Sequence, residues 1–404
     1  MRTRREVLKA GAGLGITLLL AACGQSGSPA AGSAAPKTSA PAAGASLTGS
    51  AAASATAAAG AAAAVDISKP VAPKVATLEA ELALPDAVLQ GAKKEGKFTW
   101  TSSIDKDVAK TVMDAFMKRY PDVQPQYQEG SEETRTVRTL TEFKAGRNKL
   151  DVAMGLGGFL GEYKAANALS KLTDLPAYAN YDPPFRDTQS EWGGVRSQYW
   201  SIGYNTDKVK DDELPKTWDD LTDPKWKGRI GLGDRPQLWA EHLWKQWGAD
   251  RTTEFLKKLF ANGVQRRKEG LDAAAQLLGA GEFDLYVPSA PYRIEGLVKK
   301  KTPVGWWSPD MLPVSFSDIT ILNNIPNPNS AKVFVNWFLS REGQDVYCKA
   351  DFAAPTHPAL RLDKQYLGIF ADRLLSRKWI NVAPDEELAI LPDVRKVWQA
   401  LWVA

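Results

Sequence analysis

Between Lys97 and Met154 the chain alternates strand-like and helix-like hydrophobic periods, and that alternation restricts the fold more than any other feature. Lys97-Phe98-Thr99-Trp100-Thr101 reads as a strand, and Asp107 to Tyr120 places Val108, Val112, Ala115 and Phe116 along one helical face. Val123 to Gln128 reads as a second strand, Thr134 to Ala145 as a second helix and Leu150 to Met154 as a third strand. Strands separated by helices predict an α/β fold with a mostly parallel sheet covered on both faces. A leading helix is expected over Leu84 to Glu95, with Pro85 and Asp86 in its first turn and Gly96 just past its end. The length of 404 residues allows one two-lobed unit or two domains, with ample core for either.

The start of the chain has a different character. Thr3-Arg4-Arg5-Glu6-Val7-Leu8-Lys9 is a twin-arginine pattern, Ala10 to Ala22 is uncharged, and Leu20-Ala21-Ala22-Cys23 has the form of a lipobox. The uncharged stretch falls short of the ~20 residues needed to span a bilayer as a helix. Residues 1–22 are therefore expected to be an export signal, and Cys23 the site of lipidation and membrane attachment outside the cytoplasmic membrane. From Gly24 to Asp66 all but five residues are Ala, Gly, Ser, Pro or Thr, so residues 23–66 read as a low-complexity tether that cannot bury enough apolar surface to order itself.

Composition excludes several function classes. The signal accounts for three of the four net positive charges, and the +1 that remains gives no basic surface for nucleic acid. With Cys23 lipidated, Cys348 has no partner in its own chain, and disulfides are not expected to hold the fold. His242 and His357 are far apart with no ligand spacing, so no metal site or cofactor is expected. The folded part shows no Gly-x-Ser-x-Gly elbow, no Walker loop and no His or Cys cluster, and no catalytic residue is assigned.

Ala92-Lys93-Lys94-Glu95-Gly96-Lys97-Phe98-Thr99-Trp100-Thr101-Ser102, Tyr204-Asn205-Thr206, the block from Pro215 to Gly228, Gly281-Glu282-Phe283-Asp284 and Ser340-Arg341-Glu342-Gly343-Gln344 occur in that order. Together they resemble the extracellular solute-binding proteins of ABC importers, in the branch that includes the ferric-iron binders. The resemblance covers about Leu84 to Leu360 and is sharpest from Trp218 to Gly228. It implies a two-lobed type II periplasmic-binding fold with a ligand cleft, a small-molecule ligand, ABC permease partners and no enzymatic step. On this reading residues 67–96 form a lead segment and helix, 97–202 plus 316–345 form lobe 1, 203–315 form lobe 2, and 346–404 form a C-terminal helical segment of unassigned role. A monomer is expected.

In open α/β sheets ligands bind outside the carboxyl ends of strands, where helix N-termini present free N–H groups. Four such junctions are legible. Lobe 1 offers Ser102 and Ser103 before the Asp107 helix, and Gly157 and Gly158 after the Asp151 to Met154 strand. Lobe 2 offers Arg235 after the Arg229 to Leu232 strand, and Ser289, Tyr292 and Arg293 after the Phe283 to Val287 strand. These residues are the candidate ligand-binding set and favour an anionic solute. The ferric branch resembles itself in a tyrosine pair at the last junction, whereas Ser289-Ala290-Pro291-Tyr292 keeps at most one tyrosine in register. Ferric iron, a polyamine or thiamine-type cation held by Glu132, Asp234 and Trp239, and a sensor role in place of transport are the alternatives. Trp200, Trp239, Trp306 and Trp307 are candidates for cleft walls or core.

Overall fold

The computed structural model describes residues 66–403 apart from Glu132, so the expected signal, Cys23 and nearly all of the tether lie outside the described residues. The described chain is α/β, with two sheets inside one compact unit. In the first sheet β1 (Lys97–Ser102) lies between β2 (Gln124–Glu129) and β3 (Val152–Met154), parallel to both. Phe98 and Trp100 of β1 are fully buried. They pack against Phe334 from the helix Pro328–Leu339, with ring centroids 4.6 and 5.2 Å apart, and Phe98 meets Phe116 from the helix Lys106–Arg119 edge-on at 5.7 Å. The apolar stripe expected along that last helix is thus the side that covers the sheet.

The sheet is extended by β10 (Met311–Ile321), which runs antiparallel to β3 and to the edge strand β4 (Gly193–Tyr199), and by β11 (Lys378–Asn381), parallel to β10. The second sheet has the order β7 (Gln265–Arg267), β6 (Ile230–Gly233), β8 (Leu285–Ser289), β5 (Ser201–Asn205), β9 (Val304–Trp307). Here β6 is parallel to β7 and β8, while β5 is antiparallel to β8 and β9. The chain crosses between sheets twice, from β4 to β5 at Trp200 and from β9 to β10 through Ser308 to Asp310. The expectation of a mostly parallel sheet therefore holds for the helix-connected strands and fails for the crossing ones. A crossing strand enters its sheet from the other lobe, and its own side-chain period carries no sign of direction.

Two further differences arise from long-range contacts. Residues 134–145 do not form one α-helix: Thr134–Arg138 is a π-turn that leads into the α-helix Thr139–Lys144. The wider turn accompanies a buried Arg135, which donates to the carbonyl oxygens of Gly130 (3.1 Å), Met154 (3.3 Å) and Gly155. The C-terminal segment, expected to be helical, also supplies β11 before its long helix Pro384–Val403. The four residues of β11 are too few to show a period, and they are fixed by pairing with the start of β10. The lead segment buries Ile67 and joins lobe 1 through Glu81, whose fully buried carboxylate bonds to Asn180 and Arg341.

Candidate functional site

The candidate residues sit where strands end. At β1, the Ser102 hydroxyl is buried and accepts the N–H of Ile104 at 3.3 Å, while Ser103 is exposed. Next to it, β3 ends in Gly155 (φ 77°) and Gly157 (φ 50°), conformations open to glycine and costly for most residues. This turn already holds a carboxyl group. The fully buried Asp318 of β10 accepts the N–H of Gly157 at 2.8 Å and that of Leu156 at 3.0 Å. Burial pushes its carboxyl above the ordinary value, and the two N–H groups pull it back part of the way. The Gly157 N–H that the sequence reading reserved for a solute is therefore occupied from within. Gly158 faces the side chain of Glu387 from the C-terminal helix, which comes within 3.3 Å of where a Cβ would stand.

Lobe 2 is more open and more cationic. Arg235 is exposed at the end of β6, immediately before a short turn Pro236–Leu238 and the helix Ala240–Trp247. Pro291 begins the helix Pro291–Lys299, which brings Tyr292, 37% exposed, and Arg293 to the end of β8. The Arg293 guanidinium pairs with Asp272 and lies 5.2 Å from the Tyr292 ring centroid. Its pKa is lowered by burial first and by the positive charge of Arg235 second, so the two cations act on one another. Ser289 turns away from this group: its hydroxyl lies 2.8 Å from the position of a Cβ on Gly203, against β5. Of the eight candidates, Arg235, Tyr292 and Arg293 are thus brought together with accessible polar surface, whereas Ser102, Gly157 and Ser289 are engaged in the fold.

Sequence reasoning missed Arg196. It projects from β4 just before the crossing, pairs with Asp351 and donates to the Ser317 hydroxyl at 3.1 Å. Its charge also acts on the Tyr292 phenol, although burial is the larger cause of that group's raised pKa. Its only local signal was a lone cation in a strand whose neighbours are buried. Three of the tryptophans named as possible walls, Trp200, Trp239 and Trp306, are core residues; Trp239 is fully buried and stacks on Trp218 at 5.3 Å. The cation alternative loses its aromatic face at Trp239, and Glu132 lies outside the described residues.

Among the described residues no group of three or more His, Cys, Asp or Glu is placed to hold a metal ion. His242 is buried with Nε2 3.1 Å from the Val314 carbonyl, and burial lowers its pKa to about 3. His357 is buried elsewhere, with Nε2 3.0 Å from Glu81.

Residues 148–366, more than half of the sequence, match the profile of the family described as bacterial extracellular solute-binding protein. The chain belongs to that family. Its relatives include the iron uptake protein A1 of Synechocystis, 25% identical over 208 residues that make up 48% of this chain and 56% of that protein. An uncharacterized protein of Haemophilus influenzae is 30% identical over 168 residues, 38% of this chain and 48% of that one. The chain thus spans about half the length of the curated relatives it matches. Among solved structures, the Trichodesmium protein IdiA (FutA) in complex with iron and citrate superposes with a TM-score of 0.65 at 21% identity, covering 76% of this chain and 99% of that one. The periplasmic binding protein AfuA of Actinobacillus pleuropneumoniae, with fructose-6-phosphate bound, gives 0.58 at 21% identity, covering 76% and 98%. At these identities the likeness shows the fold: two lobes of α/β architecture.

Proposed function

We propose that this protein is the extracytoplasmic solute-binding component of an ABC importer, tethered to the membrane through a lipid on Cys23, and that it captures a small anionic solute between its lobes for a membrane permease. The observation that carries the anionic reading is the group of Arg235, Arg293 and Tyr292 at the carboxyl ends of β6 and β8, with Arg196 acting on Tyr292 from the other lobe. Exposed Arg235 is poised for a charge-assisted hydrogen bond. Arg293 has a buried Nε without a partner, a donor that a solute oxygen can satisfy. In lobe 1 the Gly157 N–H is taken by the Asp318 carboxyl and Gly158 is faced by Glu387, so the contacts proposed for the solute come mainly from lobe 2.

The test is a thermal-shift screen of phosphate, phosphonates, sulfonates, carboxylates and sugar phosphates, with spermidine and thiamine as cations, followed by titration of the hit. Losing one charge-assisted bond, typically worth about 1.5 to 3 kcal/mol, weakens binding roughly tenfold to more than a hundredfold. Arg235→Ala and Arg293→Ala are expected to show that loss without a change in unfolding temperature larger than the ligand effect. A cationic hit, or two variants that bind as tightly as wild type, overturns the anion site.

Ferric iron is the second reading, favoured by the names of the relatives. Ferric phenolate is coloured. A visible band on loading with ferric citrate that disappears in Tyr292→Phe establishes that reading in place of the anionic one.

A further inference from the structure

The run Gly155-Leu156-Gly157-Gly158-Phe159-Leu160-Gly161 contains two glycines that backbone conformation does not explain. Gly155 and Gly157 need positive φ, but Gly158 and Gly161 do not. What these two lack is bulk. Three residues apart, where the turn Gly157–Phe159 enters the helix Leu160–Ala165, they share one face. On that face lies the start of the C-terminal helix. Glu387 Oε1 stands 3.3 Å from a Cβ placed on Gly158, and Leu388 Cγ stands 3.4 Å from one placed on Gly161, with its Cδ1 overlapping that position. The pair is a flat seat for one helical turn.

The rest of the helix belongs to lobe 2. Trp398 is buried edge-on against Trp239 at 6.1 Å and Phe260 at 5.3 Å, Val394 is fully buried, and Arg266 donates to the Leu401 carbonyl at 3.0 Å. The helix also packs on the turn Pro236–Leu238 directly after Arg235, and Glu386 pairs with Lys245. The two attachments are unequal: lobe 2 holds two apolar turns, whereas the first sheet holds β11 just ahead of the helix, and its lobe holds Glu387 and a Leu388 that is still 40% exposed. We propose that the first turn of the C-terminal helix is a latch between the lobes, carried by lobe 2 and seated on Gly158 and Gly161 of lobe 1, that must lift off before the cleft can open and exchange solute. Its role in exchange rests on the solute-binding reading above, but its seating does not.

The latch sits over a second carboxyl. Glu241 of the helix Ala240–Trp247 is 4% exposed with Oε2 unpartnered. Its pKa is raised by burial first and by the nearby Glu387 second, and Arg395 opposes both. The other charged groups around it are Lys245, paired to Glu386, and His242, whose Nδ1 is 3.8 Å away; β11 contributes Lys378, which bonds to Gln246. Because the buried carboxyl is favoured in its protonated form, docking is strongest below the ordinary glutamate range and weakens as pH rises and ionisation places two negative charges side by side.

Hydrogen exchange of the full chain, corrected for intrinsic rates, tests this without a solute. Leu388→Ala removes the seated side chain, and Gly161→Leu fills the seat from the other lobe. In either variant, protection at residues 388–391 and in the Leu160–Ala165 helix is expected to fall roughly tenfold or more while residues 394–401 keep theirs. In wild type the same turn is expected to lose protection as pH rises from about 4.5 to about 9, and in Glu241→Gln to lose none. Unchanged protection at 388–391 in Leu388→Ala, loosening of the whole helix as one body, or the same pH response in Glu241→Gln overturns the latch. A failed solute screen would leave this result standing.

Discussion

Glu81 is a fully buried carboxylate that the fold neutralises with donors. It accepts from Asn180 Nδ2 (2.9 Å), His357 Nε2 (3.0 Å), and the backbone N–H (2.9 Å), Nε (3.0 Å) and Nη2 (2.8 Å) of Arg341. His357 Nδ1 accepts the N–H of Ala359 at 3.2 Å, which fixes the ring so that Nε2 donates. Burial alone would raise the carboxyl, but the bonds from His357 and Arg341 outweigh it and hold the pKa down to about 2 from 4.5. A depressed carboxylate contributes stability that is complete above its unfolded value and is lost as pH falls from about 4.5 to about 2. The contribution is on the order of 3 kcal/mol. Urea unfolding across that range is expected to show a steep loss in wild type and a shallower one in Glu81→Gln, which also starts from a lower stability at neutral pH. At this scale the sequence was least informative. Ser102, Gly157 and Ser289 were placed correctly at strand ends, since Gly, Ser and Pro mark such ends locally, but whether each points to solvent depends on Ile104, Asp318 and Gly203. Asp318 lies more than 160 positions beyond Gly157, and no local pattern connects them.

The elements were easier to read because their periods are local. The helix Lys106–Arg119 and strands β1 and β3 appear within a residue or two of where their hydrophobic spacing put them, as does the helix Asp86–Glu95 with Gly96 as its left-handed cap. The C-terminal segment was expected to be helical, and its long helix buries Leu391, Val394 and Trp398; Leu388, on the same stripe, is the seated tip. What could not be read was its partner surface, because an apolar stripe states that something is covered and not what covers it. Trp398→Ala empties the space between Trp239 and Phe260 and is expected to cost about 3 to 5 kcal/mol, seen as a lower unfolding midpoint. Protection should then disappear along all of residues 388–401, in contrast to the local loss expected from Leu388→Ala.

At the scale of the whole molecule, the two lobes follow from two sheets joined by the β4–β5 and β9–β10 crossings and bridged by the C-terminal segment. On the proposed function, capture by lobe movement has value only where solute arrives, and the Leu20-Ala21-Ala22-Cys23 pattern is expected to supply that location. Cys23→Ser is expected to release the protein from membranes or leave an unprocessed precursor; membrane retention of a fully processed Cys23→Ser chain would contradict lipid anchoring. Among the described residues no helix is long and apolar enough to cross a membrane. The same sparing use of cysteine has a practical outcome. Cys348 is fully enclosed, and burial pushes its thiol well above the ordinary value, so it offers no thiolate to a reagent. A chain that begins after Cys23 therefore carries no reactive thiol, and one cysteine introduced at Tyr292 is a unique handle for an environment-sensitive dye, turning the protein into an optical sensor whose signal reports from the end of β8 where the solute is proposed to bind.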